Sequence, residues 1–140
     1  DDTCLATGEL LPVKDTPFDF NKRKRIGQDL EADHIQLKNA FGYDHSFVLN
    51  GTENQLTLEE PVSGRRLIIS TTAPVVQVYT GNFLKDGCIG KAGRVYENRE
   101  GVALETQLMP NAINTEENPS TILRKGDKFE SNTKYVFEIM

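Results

Sequence analysis

Turn-forming residues interrupt this chain so often that a helical fold has nowhere to run. Asn50-Gly51, Ser63-Gly64, Asp86-Gly87 and Lys125-Gly126-Asp127 are joined by prolines at Pro12, Pro17, Pro61, Pro74, Pro110 and Pro119. Segments between such punctuation are too short for packed helices and the right length for strands. Leu56 and Leu58 alternate with Gln55, Thr57 and Glu59, the period of a half-buried strand, and Asn50-Gly51 before them predicts a hairpin back to Ser46–Leu49. Leu67, Ile68 and Ile69 form a continuous apolar run that suits a strand covered on both faces, and Val75–Tyr79 predicts the next strand. Tyr135, Phe137 and Ile139 share one face of a final strand, so the chain is expected to end inside a sheet. Only Gln28–Lys38 has helical spacing, through Leu30, His34 and Leu37. The expected class is all-β, a sandwich or part of one, with at most one short helix.

With 140 residues, 37% of them apolar, the chain over 1–140 is the size of one ordinary globular domain and can bury a core. Its formal net charge of -5 gives no broad field for a polyanion. Lys22-Arg23-Lys24-Arg25 is the one basic run, and it lacks interleaved aromatics for base stacking, so it reads as a solvated loop and nucleic acid is not an expected partner. No apolar stretch approaches the ~20 residues of a membrane span, and no secretory signal precedes the first motif, so the expected compartment is the cytoplasm. Cys4 and Cys88 are too few and too far apart for a disulfide framework and read as free thiols. Asn50-Gly51-Thr52 has the form of a glycosylation sequon but is equally explained by the turn. The start at Asp1, passing at once into ATGELLPV, reads like the middle of a polypeptide.

Three positions attract attention as chemistry. In a strand, residues of equal parity share a face, so Glu105 points with Ala103 and Gln107, away from Leu104 and Thr106. A carboxylate flanked by a small residue and an amide could line a polar groove, where partial burial raises a carboxylate pKa toward the range of a general base; a solvated Glu on a polar face fits the periodicity as well. Gln77 shares a face with Val75 and Tyr79, the mixture of amide and flat apolar surface that sugars require, though also that of an ordinary packed strand. Asp44 and His45 are neighbours in GYDHSF, and strand alternation turns their side chains apart, so they should not form a dyad; His45 reads as a structural histidine. With two histidines in the chain, no metal set and no Ser/His/Asp order emerges, and no metal or other cofactor is expected.

The order and wording of several segments resemble the aldose 1-epimerase (galactose mutarotase) family across nearly the whole chain. They are LATGELLPVKDTPFDF, GYDHSFVL, SGRRLIISTTAPVVQVYTGNF, GVALETQLMPNAIN and PSTILRKGD. The resemblance implies that the chain is the C-terminal portion of a galactose mutarotase-like β-supersandwich. It further implies that Asp44 and Gln77 bind sugar hydroxyls, that Glu105 is the catalytic base, and that the reaction is interconversion of the α and β anomers of a free aldose such as galactose or glucose. The family's asparagine and arginine pair and its two active-site histidines, the second in a segment like NHTYFNL, have no counterpart here; His34 and His45 do not stand in matching motifs. The expected partners are therefore a small-molecule aldose and the N-terminal half of the same enzyme. A non-catalytic carbohydrate-binding sandwich and a sugar-phosphate epimerase relative are the alternatives, the latter requiring a basic cluster around the groove that is not apparent.

Overall fold

The computed structural model describes residues 3–85, 89–115 and 121–140. Cys88 and the turn expected at Asp86-Gly87 lie outside the described residues. Among the described residues six strands carry the fold: β1 (Asp44–Val48), β2 (Leu56–Glu60), β3 (Arg65–Thr71), β4 (Val75–Tyr79), β5 (Ala103–Gln107) and β6 (Thr133–Ile139). They form two three-stranded sheets, ordered β1-β4-β5 and β2-β3-β6. The all-β expectation holds, and α1 (Ile35–Ala40) is the one α-helix among the described residues.

The expected hairpin across Asn50-Gly51 does not form. β2 pairs instead with β3, in antiparallel register from Leu56 opposite Ile69 to Glu60 opposite Arg65. That register sets Leu56 and Leu58 against Ile69 and Leu67, uniting the apolar faces of both strands, which a return onto Ser46–Leu49 would not do. The connection is closed by the Glu60 carboxylate, which accepts from the backbone N–H of Val62 (2.8 Å) and of Ser63 (2.7 Å), and by Gly64 at φ +72°. The Asn50-Gly51 segment is a longer loop, and the end of β1 is held elsewhere, with Leu49 N–H donating to Pro74 C=O at 3.0 Å.

The expected helix over Gln28–Lys38 splits into a 3-10 turn, Ile26–Asp29, and α1. His34 explains the break: it is extended (φ -133°, ψ 129°), and its Nδ1 accepts from Gln36 N–H at 3.2 Å, taking the N-cap role in place of a helical turn. Phe41, left-handed at φ 57°, ends α1, and Gly42 N–H returns to Leu37 C=O at 3.0 Å.

The contacts divide into two compact units, Asp1–His45 with Val78–Leu104, and Ser46–Gln77 with Glu105–Met140. In the first, Tyr43 is fully buried and its hydroxyl donates to Pro17 C=O at 2.7 Å. Burial, helped by the Asp29 charge, pushes that phenol up to about 12. Phe18 meets Tyr43, His34 and His45 edge-on at 5.4, 5.2 and 4.7 Å. Lys24 of the basic run folds into this cluster, bonding Pro17 C=O at 2.6 Å and Asp29 at 2.8 Å while lying over the Phe20 ring. A buried polar knot closes it: Asn82 Nδ2 donates to Ala40 C=O (2.8 Å) and Tyr43 C=O (3.0 Å), and Asn82 Oδ1 accepts from the Thr80 hydroxyl (2.7 Å).

In the second unit, β6 pairs antiparallel with β3, Leu67 opposite Phe137 and Ile69 opposite Tyr135. One face of this sheet thus gathers Leu56, Leu58, Leu67, Ile69, Tyr135, Phe137 and Ile139. Its β3 side sinks into the core, with Ile69 fully buried, but Phe137 and Ile139 on the edge strand are 78% and 76% exposed. The opposite face carries an ion ladder in which Arg66 reaches Glu59 at 2.9 Å and Glu138 at 3.4 Å, the residues that register places beside it. Three hydroxyls tie β5 to the second sheet: Thr106 and Thr133 meet at 3.0 Å, and Thr133 and Thr71 at 2.8 Å.

Candidate functional site

Gln77 closes the part of β4 that the core holds most firmly, following the buried Val75 and Val76, and is itself half-buried. The Ser46 hydroxyl, from β1, donates to its Oε1. The amide is thereby oriented, its carbonyl toward Ser46 and its two N–H donors turned away. Ser46 is a contact of the Gln77 candidate that sequence reading missed; the only signal was its equal parity with Asp44 on β1.

Asp44 begins β1 and is exposed. Its backbone N–H donates to the His45 Nδ1 at 3.0 Å, so that ring nitrogen is engaged by the main chain of its neighbour. The His45 ring is half-buried. Burial pushes its pKa below the usual 6.5 and His34 adds to that, while the Asp44 carboxylate and a hydrogen bond with the Gln36 backbone oppose it.

Glu105 stands midway along β5, between the half-buried Leu104 and Thr106, and is exposed. The partial burial expected of it is not provided by this chain's own side chains. Thr106, facing the other way, is anchored on Thr133 and fixes the strand that presents the carboxylate. β5 follows β4 in the sheet order β1-β4-β5, so the strands bearing Glu105 and Gln77 are neighbours. Tyr79, on the face of Gln77, uses its phenol oxygen to accept Phe83 N–H at 3.0 Å, an anchor for the loop after β4.

An open depression of about 420 Å³ lies in the second unit, lined by Leu108, Thr121, Ile122, Leu123, Asp127, Lys128 and Phe129. It includes none of the three candidates. Among the described residues no group of three His, Cys, Asp or Glu side chains is placed to hold a metal ion, and no helix is long and apolar enough to cross a membrane. Cys4 is an exposed free thiol.

A carboxylate and an amide on adjacent strands suit hydrogen bonding and proton exchange with a polyhydroxylated ligand. The aldose 1-epimerase family model matches residues 1–136. The galactose mutarotase of Homo sapiens is 38% identical over 142 residues, covering 99% of this chain and 40% of that protein. The aldose 1-epimerase of Haemophilus influenzae is 34% identical over 143 residues, covering 99% and 41%. The crystal structure of the GalM/aldose epimerase homologue from C. elegans matches with a TM-score of 0.86 at 31% identity, over 99% of this chain and 42% of that one. The chain thus spans about two fifths of the length of the curated relatives it matches. With strand arrangement and sequence agreeing from end to end, the chain belongs to the aldose 1-epimerase family.

Proposed function

We propose that this chain is the base-bearing part of a mutarotase that interconverts the α and β anomers of free hexoses such as galactose and glucose. Glu105 takes the proton of the anomeric hydroxyl while an acid protonates the ring oxygen. The bond between that oxygen and the anomeric carbon breaks to give the open-chain aldehyde. Rotation about the adjoining C–C bond and reclosure, with the protons returned, gives the other anomer. No atoms are gained or lost, and side-chain proton transfer suffices without a cofactor. Asp44 anchors the sugar by accepting from its hydroxyls, and Gln77 adds donors whose direction Ser46 sets. The acid histidine comes from the part of the enzyme that lies outside these 140 residues, and we place the complete protein in the cytoplasm.

The observation that carries this reading is Glu105 itself: an exposed carboxylate on the strand next to the one bearing Gln77, in a chain whose family match runs through it. The test is Glu105→Ala in the complete enzyme, following the optical rotation of freshly dissolved α-galactose. Loss of general-base catalysis should lower kcat by roughly 10²- to 10⁴-fold while KM stays within a few-fold. Near-normal turnover would remove Glu105 from the role. A complete protein that binds galactose without speeding mutarotation would make it a carbohydrate-binding sandwich.

A further inference from the structure

We infer that His45 is a positioning residue for sugar binding, a neutral imidazole whose Nδ1 locks the backbone N–H of Asp44 and so aims the Asp44 carboxylate. The inference rests on the proposed role of Asp44 as a sugar ligand. Its ground is the hydrogen-bond direction at the start of β1. Tyr43 turns both backbone groups toward Thr80 and Asn82, its N–H donating to the Thr80 hydroxyl (3.1 Å) and its C=O accepting from Thr80 N–H (3.0 Å) and Asn82 Nδ2 (3.0 Å). Backbone groups alternate along a strand, so those of Asp44 point the opposite way. β1 is the edge of its sheet, with β4 on its other side. The His45 Nδ1 accepts the Asp44 N–H at 3.0 Å.

The ring is held for this task. It packs edge-on against Phe18 at 4.7 Å, and a second hydrogen bond joins it to the Gln36 backbone at the start of α1. With Nδ1 an acceptor, the neutral ring carries its proton on Nε2. Protonation of Nδ1 turns the acceptor into a donor facing a donor, and the lock opens. Among the described residues, the titratable groups acting on the ring are Asp44, which favours the proton, and His34, which opposes it; burial is the largest influence and also opposes it. The neutral, locking form therefore persists from alkaline pH down to somewhat below 6.5 and is lost as pH falls further.

Asp44 is exposed, so water can replace the lost bond, and what is forfeited is orientation. One hydrogen bond's worth of aim corresponds to a KM increase of about tenfold for galactose. The experiment compares His45→Leu, which removes the acceptor, with His45→Asn, whose side-chain oxygen stands close to where Nδ1 was and does not titrate, in the complete enzyme across pH 5 to 8. His45→Leu should raise KM about tenfold with kcat within about threefold. His45→Asn should restore KM and abolish its rise on the acid side. Should His45→Leu not fold, the wild-type chain supplies the readout by NMR: the Asp44 amide signal should shift with the His45 ring titration, and the ring nitrogens should report an unprotonated Nδ1 at neutral pH. Equal KM in wild type and His45→Leu, or an Asp44 amide indifferent to the titration, overturns the inference. Asp44→Ala separates the two levels. If it leaves KM unchanged, the sugar-ligand reading falls; if it raises KM while His45→Leu does not, the positioning role alone falls.

Discussion

Asn82 bonds three neighbours with one amide, and little in the sequence announces it. A polar residue just after a strand, beside Gly81, reads as a turn. In the structure it is 4% exposed and bonds Ala40, Tyr43 and Thr80, joining the end of α1 to the start of β1 and the end of β4. Gly42 is its counterpart: at φ +143° it leaves the room the amide occupies, since a Cβ there would run into Asn82 and stand 3.0 Å from the Thr80 hydroxyl. Replacing Asn82 by Leu keeps the volume, takes the amide donor from the buried Ala40 carbonyl and leaves Tyr43 C=O with the Thr80 groups alone. The expected cost is about 1 to 3 kcal/mol in urea unfolding; a loss below about 0.5 kcal/mol would show that the knot is not structural. The strand positions of Asp44, Gln77 and Glu105 were more legible, because strand parity alone gives each a face. The contacts of Ser46 with Gln77 and of His45 with Phe18 were not, since they join positions 31 and 27 residues apart and no local pattern encodes such pairs.

At the level of elements, strand existence was readable and strand pairing was not. β4 lies where its apolar run put it, and β6 has the predicted alternation, because both patterns are local. The partner of β2 was misread because Asn-Gly is a strong hairpin signal only when two residues separate the strands; here the loop runs on to Asn54, itself at φ 50°. Hydroxyl bonds between elements were equally invisible. The Thr71 hydroxyl reaches Asn132 C=O at 3.2 Å and the Thr133 hydroxyl at 2.8 Å, and Thr133 meets Thr106 at 3.0 Å. Thr71 also accepts from Ala73 N–H at 3.1 Å. The links are therefore unequal: Thr71→Val strands a buried N–H and should cost about 2 to 3 kcal/mol, whereas Thr106→Val removes the hydroxyl that meets Thr133 and should cost less than about 1 kcal/mol. Chemical denaturation of the two variants checks the order, and equal losses would show that the bond to Ala73 carries no extra weight.

For the molecule as a whole, frequent turns foretold an all-β class, but the division of six strands into two sheets depends on pairings between distant segments and could not be read from spacing. The final strand also differs from expectation in one respect. It does end the chain within a sheet, but at the sheet's edge, as the order β2-β3-β6 requires. There the alternation that made it recognisable sets Tyr135, Phe137 and Ile139 toward solvent, 46%, 78% and 76% exposed. An apolar row on an open edge favours association. Whatever covers that row adds its binding free energy to the folding equilibrium, by mass action. The midpoint of thermal unfolding of these 140 residues should then rise with protein concentration, followed by circular dichroism over a hundredfold range, and Phe137→Lys should flatten the dependence. A concentration-independent midpoint from a monomer in sedimentation would refute this. The melting temperature of this chain is then a property of the solution as much as of the fold.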